Sequence, residues 1–303
     1  MSSSVEEQAV EEVCASCGKA ALDDVKLKKC ACDLVKYCSV ECQKNHRPQH
    51  KKACKKRLAE IRDDRLFTQP DESHLGECPI CFLPLPLDEN KRRINSCCCK
   101  MICLGCCYAN YLREEEQGLE QRCPFCREGM PDTDEEIHQN LMMRAKANDP
   151  DALRWMGRKC DGEGDYEGAF EYFTKAAALG DMGAHCNLSN SYQEGEGVER
   201  DLKKKIYHLE EAAIGGHAGA RYNLGCIEGK SGRFERAVKH YIIAAKLGDD
   251  DALKEAKKGF EYGLVSKEDF EATLRGHQAA VDATKSKQRE EAEKARLLEG
   301  LLC

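Results

Sequence analysis

Seventeen of the chain's 21 cysteines fall between Cys14 and Cys126, most of them in pairs one to three residues apart. Domains this small rarely hold together on a hydrophobic core alone, so sulfur so dense is either disulfide-bonded or bound to metal. The start, MSSSVEEQAVEE, is acidic and polar, and no window approaches eighteen consecutive apolar residues. Neither a secretory leader nor a membrane span is expected, and no membrane partner. The chain is therefore expected to be intracellular, in cytoplasm, nucleus or both, where thiols stay reduced. Reduced cysteines paired near histidines hold metal.

Beyond Asp149 the cysteine pairs vanish and Ala, Gly, Leu and Tyr take over. Ala152-Leu-Arg-Trp-Met-Gly157 recurs as Ala184-His-Cys-Asn-Leu-Ser189 and as Ala220-Arg-Tyr-Asn-Leu-Gly225. The second helix of each unit closes on Ala176-Ala177-Ala178-Leu179-Gly180, Ala212-Ala213-Ile214-Gly215-Gly216 and Ala244-Ala245-Lys246-Leu247-Gly248, a repeat of 36 residues and then 32. That length suits a solenoid of paired helices, in which alanines let helices approach and glycines stop them. Asp249 to Gly263 reads as a fourth, decayed unit. The pattern resembles the Sel-one-like repeat, a relative of the tetratricopeptide repeat, and Gln193-Glu-Gly-Glu-Gly-Val198 followed by Asp201 matches its loop. Cys160, Cys186 and Cys226 read as small buried thiols, and Trp155 and the tyrosines as packing between helices. Ser266 to Leu302 reads as a helix capped by Ser266, a solvated end to the solenoid.

The first cluster orders its ligands as Cys14-x2-Cys17, Cys30-x-Cys32, Cys38-x3-Cys42 and His50-x3-Cys54. Four pairs make two closed tetrahedral zinc sites with no open position, hence a structural motif. Pro48 disfavours helix at Arg47 and fits the first turn of a new helix, which puts His50 and Cys54 on one face. Tyr37-Cys-Ser-x-x-Cys42-Gln and His50-Lys-x-x-Cys54 resemble the MYND zinc finger. The resemblance implies interleaved sites, with Cys14, Cys17, Cys38 and Cys42 on one zinc and Cys30, Cys32, His50 and Cys54 on the other. Here only Ala31 separates Cys30 from Cys32, where the family has two residues, so strain is expected at the second site. His46, one turn before His50, is the substitute ligand or else an exposed helix residue. The whole N-terminal stretch, through RPQHKKACKKR and onward to QPDESHLGECPICFLPL, also resembles a group of MYND-finger proteins abundant in diatoms.

The second cluster opens on Cys78-Pro-Ile-Cys81 and closes on Cys123-Pro-Phe-Cys126-Arg127, around Cys97-Cys98-Cys99-Lys-Met-Ile-Cys103-Leu-Gly-Cys106-Cys107. Sixteen residues separate Cys81 from Cys98, and sixteen Cys106 from Cys123. Paired ends and a central knot resemble a RING finger over Glu77 to Arg127, another two-zinc cross-brace. The resemblance implies one zinc on Cys78, Cys81, Cys103 and Cys106. The other would be held by Cys98, Cys123, Cys126 and a fourth ligand. Lys100 stands where the family usually has a histidine, so a neighbouring thiol is needed, Cys97 first and Cys99 as the alternative. Cys107 is left as a spare buried thiol. The family's surface for a ubiquitin-conjugating enzyme maps to Ile80, Pro124 and Phe125, with Arg127 as the bridging cation. Alternatively, Ile80 and Phe125 pack a tiny core and Arg127 is a solvated charge.

The expected architecture is multidomain: two small zinc-stabilised cross-brace fingers followed by an all-α repeat solenoid, with about four Zn2+ per chain. Its boundaries are a disordered acidic tail (1–13), the first finger (14–54), a helix and linker (55–76) and the second finger (77–130). A linker or helix (131–148), the repeats (149–263) and a C-terminal helix (264–303) complete it. Functionally, the resemblances imply a ubiquitin-protein ligase or ligase adaptor. The competing reading is a non-catalytic interaction scaffold that grips proline-containing peptides through the first finger. Thirteen Lys/Arg against five Asp/Glu from Cys14 to Arg62 make a basic knob on a chain of net charge −7. Lys51, Lys52, Lys55 and Lys56 could meet phosphates, but no stacking aromatic accompanies them, so a nucleic-acid-associated regulator is the third and weakest reading. MYND fingers also occur in lysine methyltransferases, yet helical repeats fill the space after the second finger and no cofactor-binding Gly-rich loop appears. No G-x-S-x-G, P-loop or H-E-x-x-H supports hydrolytic chemistry either.

Overall fold

A computed structural model describes residues 13–21 and 26–299. The expected acidic tail, Val13 apart, lies outside the described residues. The chain divides into two compact units between Thr68 and Gln69.

The first unit holds two two-residue strands, β1 (Lys28–Lys29) and β2 (Lys36–Tyr37), paired antiparallel, and one helix, α1 (Val40–Phe67). Ser39 caps α1, its hydroxyl accepting from the Cys42 N–H at 3.1 Å. Contrary to the expected break, α1 runs unbroken through Pro48. Proline removes the bond to the Lys44 carbonyl, but Lys44 is exposed, so water can serve that oxygen.

The second unit begins with the second finger, a hairpin of β3 (Arg92–Asn95) and β4 (Lys100–Cys103) leading into α2 (Leu104–Glu116). Helix α3 (Asp134–Lys146) then packs on α4 (Pro150–Gly162), so much of the expected linker belongs to the solenoid core through Leu141 and Ala145. Three helix pairs follow: α4 with α5 (Tyr166–Ala178), α6 (Met182–Glu194) with α7 (Leu202–Ile214), and α8 (Ala218–Lys230) with α9 (Phe234–Lys246). Gly180-Asp181, Gly216-His217 and Gly248-Asp249 punctuate them. Each glycine takes a positive φ that ends one helix, and the next side chain caps the following one. Gly157 and Gly225 lie under the rings of Phe173 and Tyr241, where an added Cβ would fall 2.5 Å from ring carbon. That closeness explains the glycine that ends two of the three repeated hexapeptides.

Helix α10 (Asp250–Glu261) realises the decayed fourth unit, and α11 (Lys267–Ala283) packs on α9 and α10. The expected single terminal helix is in fact two. The chain turns at Thr284–Ser286, and α12 (Lys287–Glu299) returns to pack on α2 of the second finger, burying Ala292 and Ala295. Nor do all the aromatics pack between helices. Trp155 is 36% exposed, and Tyr166, Tyr207 and Tyr262 are exposed as well, whereas Tyr192 and Tyr241 are buried.

The second finger and the linker leading into it are seated on the inter-repeat turns of their own unit, Leu87 of the finger lying 4.0 Å from where a Cβ on Gly248 would be. The His74 N–H donates to the Gly216 carbonyl at 3.2 Å, and a Cβ on Gly216 would fall 2.6 Å from the Glu72 carbonyl oxygen. Arg144 of α3 donates twice to the Cys97 carbonyl, at 2.8 and 3.1 Å.

Candidate metal centres

The finger sulfurs are positioned by a turn used three times. The N–H of the fourth residue after the first cysteine donates to that cysteine's carbonyl, and the cysteine N–H donates to the carbonyl one residue further on. Gly18 and Lys19 do this for Cys14, Phe82 and Leu83 for Cys78, Arg127 and Glu128 for Cys123, at 2.7 to 3.0 Å. The fourth residue always has positive φ: 72° at Gly18, 55° at Phe82 and 64° at Arg127. Only glycine takes that conformation freely; other L-residues pay roughly 1–2 kcal/mol for it.

Four groups of side chains converge, each with its ligand atoms within 4.8 Å of one another. Cys14, Cys17, Cys38 and Cys42 form the first, with Cys38 Sγ 3.6 Å from both Cys17 Sγ and Cys42 Sγ. The second comprises Cys30, Cys32, His50 and Cys54, with Cys30 Sγ 3.8 Å from Cys54 Sγ and Cys32 Sγ 3.1 Å from His50 Nε2. The short Cys-x-Cys loop closes without losing a ligand. Asp33, at φ 56°, donates to the Cys30 carbonyl, and the Cys30 N–H still reaches the Val35 carbonyl. His46 stays outside the group: its Nδ1 meets the Tyr37 hydroxyl at 3.0 Å and its ring stacks on His50.

In the second finger, Cys78, Cys81, Cys103 and Cys106 make the third group, with Cys81 Sγ 3.8 Å from Cys103 Sγ. Cys103 is also the N-cap of α2, its sulfur accepting from the Cys106 N–H at 3.4 Å; contact with Cys106 favours a thiolate there, but the contact with Cys78 and burial outweigh it and push the thiol up. Cys97, Cys98, Cys123 and Cys126 make the fourth, with Cys97 Sγ 3.4 Å from Cys126 Sγ and Cys98 Sγ 3.8 Å from Cys123 Sγ. Cys99, held at φ 53° in the hairpin turn, points instead into the core with Leu141, Ala145 and Ala152. Cys107 is buried beside the third group.

Both geometry and charge fit zinc. A tetrahedral ion with Zn–S bonds of about 2.3 Å separates its sulfurs by about 3.8 Å, close to the spacings here. Without a cation the thiols could not all ionise. Burial opposes ionisation of Cys14, yet hydrogen bonds from the Cys38, Cys17 and Ser16 backbone outweigh it and bring the thiol down to about 6. Its neighbour Cys38 is pushed up to about 12, first by the shared proton contact with Cys42, then by Cys17 and Cys14. Burial and the neighbouring Cys30 likewise push Cys54 up to about 11. Burial, partly offset by the Lys100 backbone, pushes Cys98 to about 11. A divalent ion removes this competition, because each added thiolate then gains a partner.

Of the expected carrier-binding residues, Ile80 is 36% and Phe125 43% exposed, Pro124 is half-buried and Arg127 exposed. They are not core. The Arg127 guanidinium donates to the Asn110 Oδ1 of α2 at 2.9 Å. The sequence reading missed Phe82, 71% exposed beside Ile80. Its signal was positional, since Phe82 occupies the place held by Gly18 and Arg127 in the other turns.

Residues 14–54 match the MYND finger family, and residues 147–181, 183–217 and 218–249 match the Sel1 repeat family. No curated protein matches the chain. Among solved structures, a Sel1 repeat protein from Oxalobacter formigenes is 26% identical, over 59% of this chain and 72% of that one, with a TM-score of 0.43. The c5321 protective antigen of uropathogenic Escherichia coli, described as displaying an SLR fold, is 20% identical over 65% of this chain and 41% of its own, with a TM-score of 0.39. MamA is 18% identical, over 55% and 85%, with a TM-score of 0.31. No helix among the described residues is long and apolar enough to cross a membrane.

Proposed function

We infer a protein-binding role from the MYND finger and Sel1 repeats that this chain carries, modules that generally bind proteins, together with its four candidate zinc sites. We propose that it is a zinc-dependent protein-interaction protein whose second finger is RING-like and docks a ubiquitin-conjugating enzyme, as a ligase or ligase adaptor. The four groups hold one structural zinc each, ligated by the sixteen residues named above. The observation that carries the reading is the apolar surface on both zinc loops: Ile80 and Phe82 on one, Phe125 on the other, all exposed. Apolar side chains exposed together on neighbouring zinc loops are the kind of surface that meets a partner. Arg127 beside them offers a planar fork of donors suited to bridging two carbonyl-bearing partners. No nucleophile is needed from the finger itself. Its contribution is to fix the carrier's thioester in a reactive orientation. An intracellular, reducing location accords with thiols kept for metal.

The test is an autoubiquitination reaction with a panel of conjugating enzymes, comparing the unmodified chain with Ile80→Ala, Phe82→Ala and Arg127→Ala. Ligation lost in the variants with four zinc ions retained supports the reading. Absence of ligation with every carrier overturns the ligase and leaves a non-catalytic adaptor or scaffold. The scaffold reading has its own support in the first finger, where Leu34 and Val40 stand exposed near the metal groups as a landing place for a proline-containing peptide.

A further inference from the structure

Three of the four sulfurs in the third group are deeply buried, Cys78 and Cys103 with no exposed surface and Cys106 nearly covered, while Cys81 is half-buried at its edge. Four thiolates around a divalent cation leave surplus negative charge, which is costly to bury unless donors face it. Two backbone donors do, the Cys103 N–H on Cys78 Sγ at 3.5 Å and the Cys106 N–H on Cys103 Sγ at 3.4 Å.

A third donor arrives from the far end of the chain. Nη2 of Arg289, on α12, donates to Cys81 Sγ at 3.3 Å and to the Leu83 carbonyl at 3.1 Å. Nη1 donates to the Pro84 carbonyl at 2.7 Å and to the Thr284 carbonyl at 2.8 Å. One guanidinium thus holds the sulfur, the loop that follows it and the turn that launches α12. Gly105 makes the approach possible. A Cβ there would lie 2.8 Å from Arg289 Cγ and 3.0 Å from its backbone N and Cα. At the fourth group Arg144 donates to a carbonyl, that of Cys97, rather than to sulfur.

We propose that Arg289 is a positioning residue of the third metal site, its charge and donor fork holding the Cys81 thiolate in the group, so that metal retention and docking of the C-terminal helix are coupled. The proposal rests on the reading of that group as a zinc site. Outer-shell partners of this kind are worth about 10–100-fold in metal affinity. Coupling is reciprocal, so loss of that ion loosens α12 as loss of Arg289 loosens the ion.

The full chain is counted for zinc first, then challenged with a chelator. Fewer than four ions in the unmodified chain would count against the zinc-site reading itself. With four present, Arg289→Met should release one ion in four about 10–100-fold faster, and Arg289→Lys should restore part of the retention. In the cadmium-substituted protein, one all-thiolate 113Cd resonance should shift while the others stay, a signature that mere loss of helix packing would not give. Gly105→Val, which displaces α12 but keeps the arginine, should speed release of the same ion. Should Arg289→Met lose all four ions by failing to fold, Arg289→Lys decides. One ion released faster from it upholds the coupling. Release and cadmium spectra identical to the unmodified chain overturn it.

Discussion

The two fingers use the same turn around their cysteines yet are held by different means. In the first, the buried cluster is Cys14, Cys30, Cys32 and Tyr37, with only Ala15, Leu27 and Val35 and three more cysteines partly buried against it. In the second, Leu85 and Ile102 are buried beside the sulfurs, Cys99 reaches the repeat core, and α12 closes over α2. Metal therefore organises the first finger almost alone, while in the second it shares the task with packing from residues nearly 200 positions away. A cysteine pattern reports ligand chemistry, and says little about how independent the resulting finger is.

The largest effect should come from stripping all metal. Structural zinc is worth on the order of 10–16 kcal/mol of apparent binding energy per site. Chelation should abolish amide protection throughout residues 14–54, leave the Sel1 helices protected, and only partly expose β3, β4 and α2. Hydrogen exchange of the chelated full chain checks this. Equal loss in both fingers would erase the distinction between them.

A middle-sized effect separates adjacent thiols. Cys97→Ser should cost one zinc ion. Cys99→Ser should keep all four and instead destabilise the second unit by about 1–3 kcal/mol, because it buries a hydroxyl in an apolar core. In the first finger, His46→Ala should likewise keep four. Metal analysis alongside urea midpoints distinguishes the cases, and a lost ion in Cys99→Ser or His46→Ala would reverse the ligand assignment.

The last effect, absent at neutral pH, concerns the seat of the segment that leads into the second finger. His74 and His217 stack with ring centroids 4.0 Å apart. Burial, with His217, Arg92 and Arg154 nearby, brings His74 down to about 3. Burial, then Arg154, brings His217 down to about 4, against an opposing pull from Asp181. Both rings are neutral when folded but bind protons near 6.5 when unfolded. Their contribution is therefore complete above that pH and is lost as pH falls toward 4 and then 3, by at most about 1.4 kcal/mol per pH unit for each ring. Comparing His74→Asn/His217→Gln with the unmodified chain at each pH removes the background of acid-induced zinc loss. Identical slopes would sink this account.

Much of the candidate site was legible because ligand spacing is local. Cys-x2-Cys and His50-x3-Cys54 can bring two donors to one point by turn or helix geometry alone, and which pairs share an ion is what the family resemblances imply. The choice between Cys97 and Cys99 was not local. It depends on which way the hairpin turn faces the repeats, and Cys99 is taken by the core that α3 and α4 supply. His46 was equally ambiguous, since one helical turn separates it from His50 and the Tyr37 hydroxyl decides its partner.

By itself the sequence determined that the front of this protein is organised around clustered sulfur and the rest by stacked helix pairs, because both follow from short, repeated spacings. Tertiary structure alone decided that the second finger rests on the repeat turns and that α12 returns to it. Those contacts join residues far apart in the chain, and only the folded backbone reveals the close approach at Gly216 and Gly105 that makes them possible.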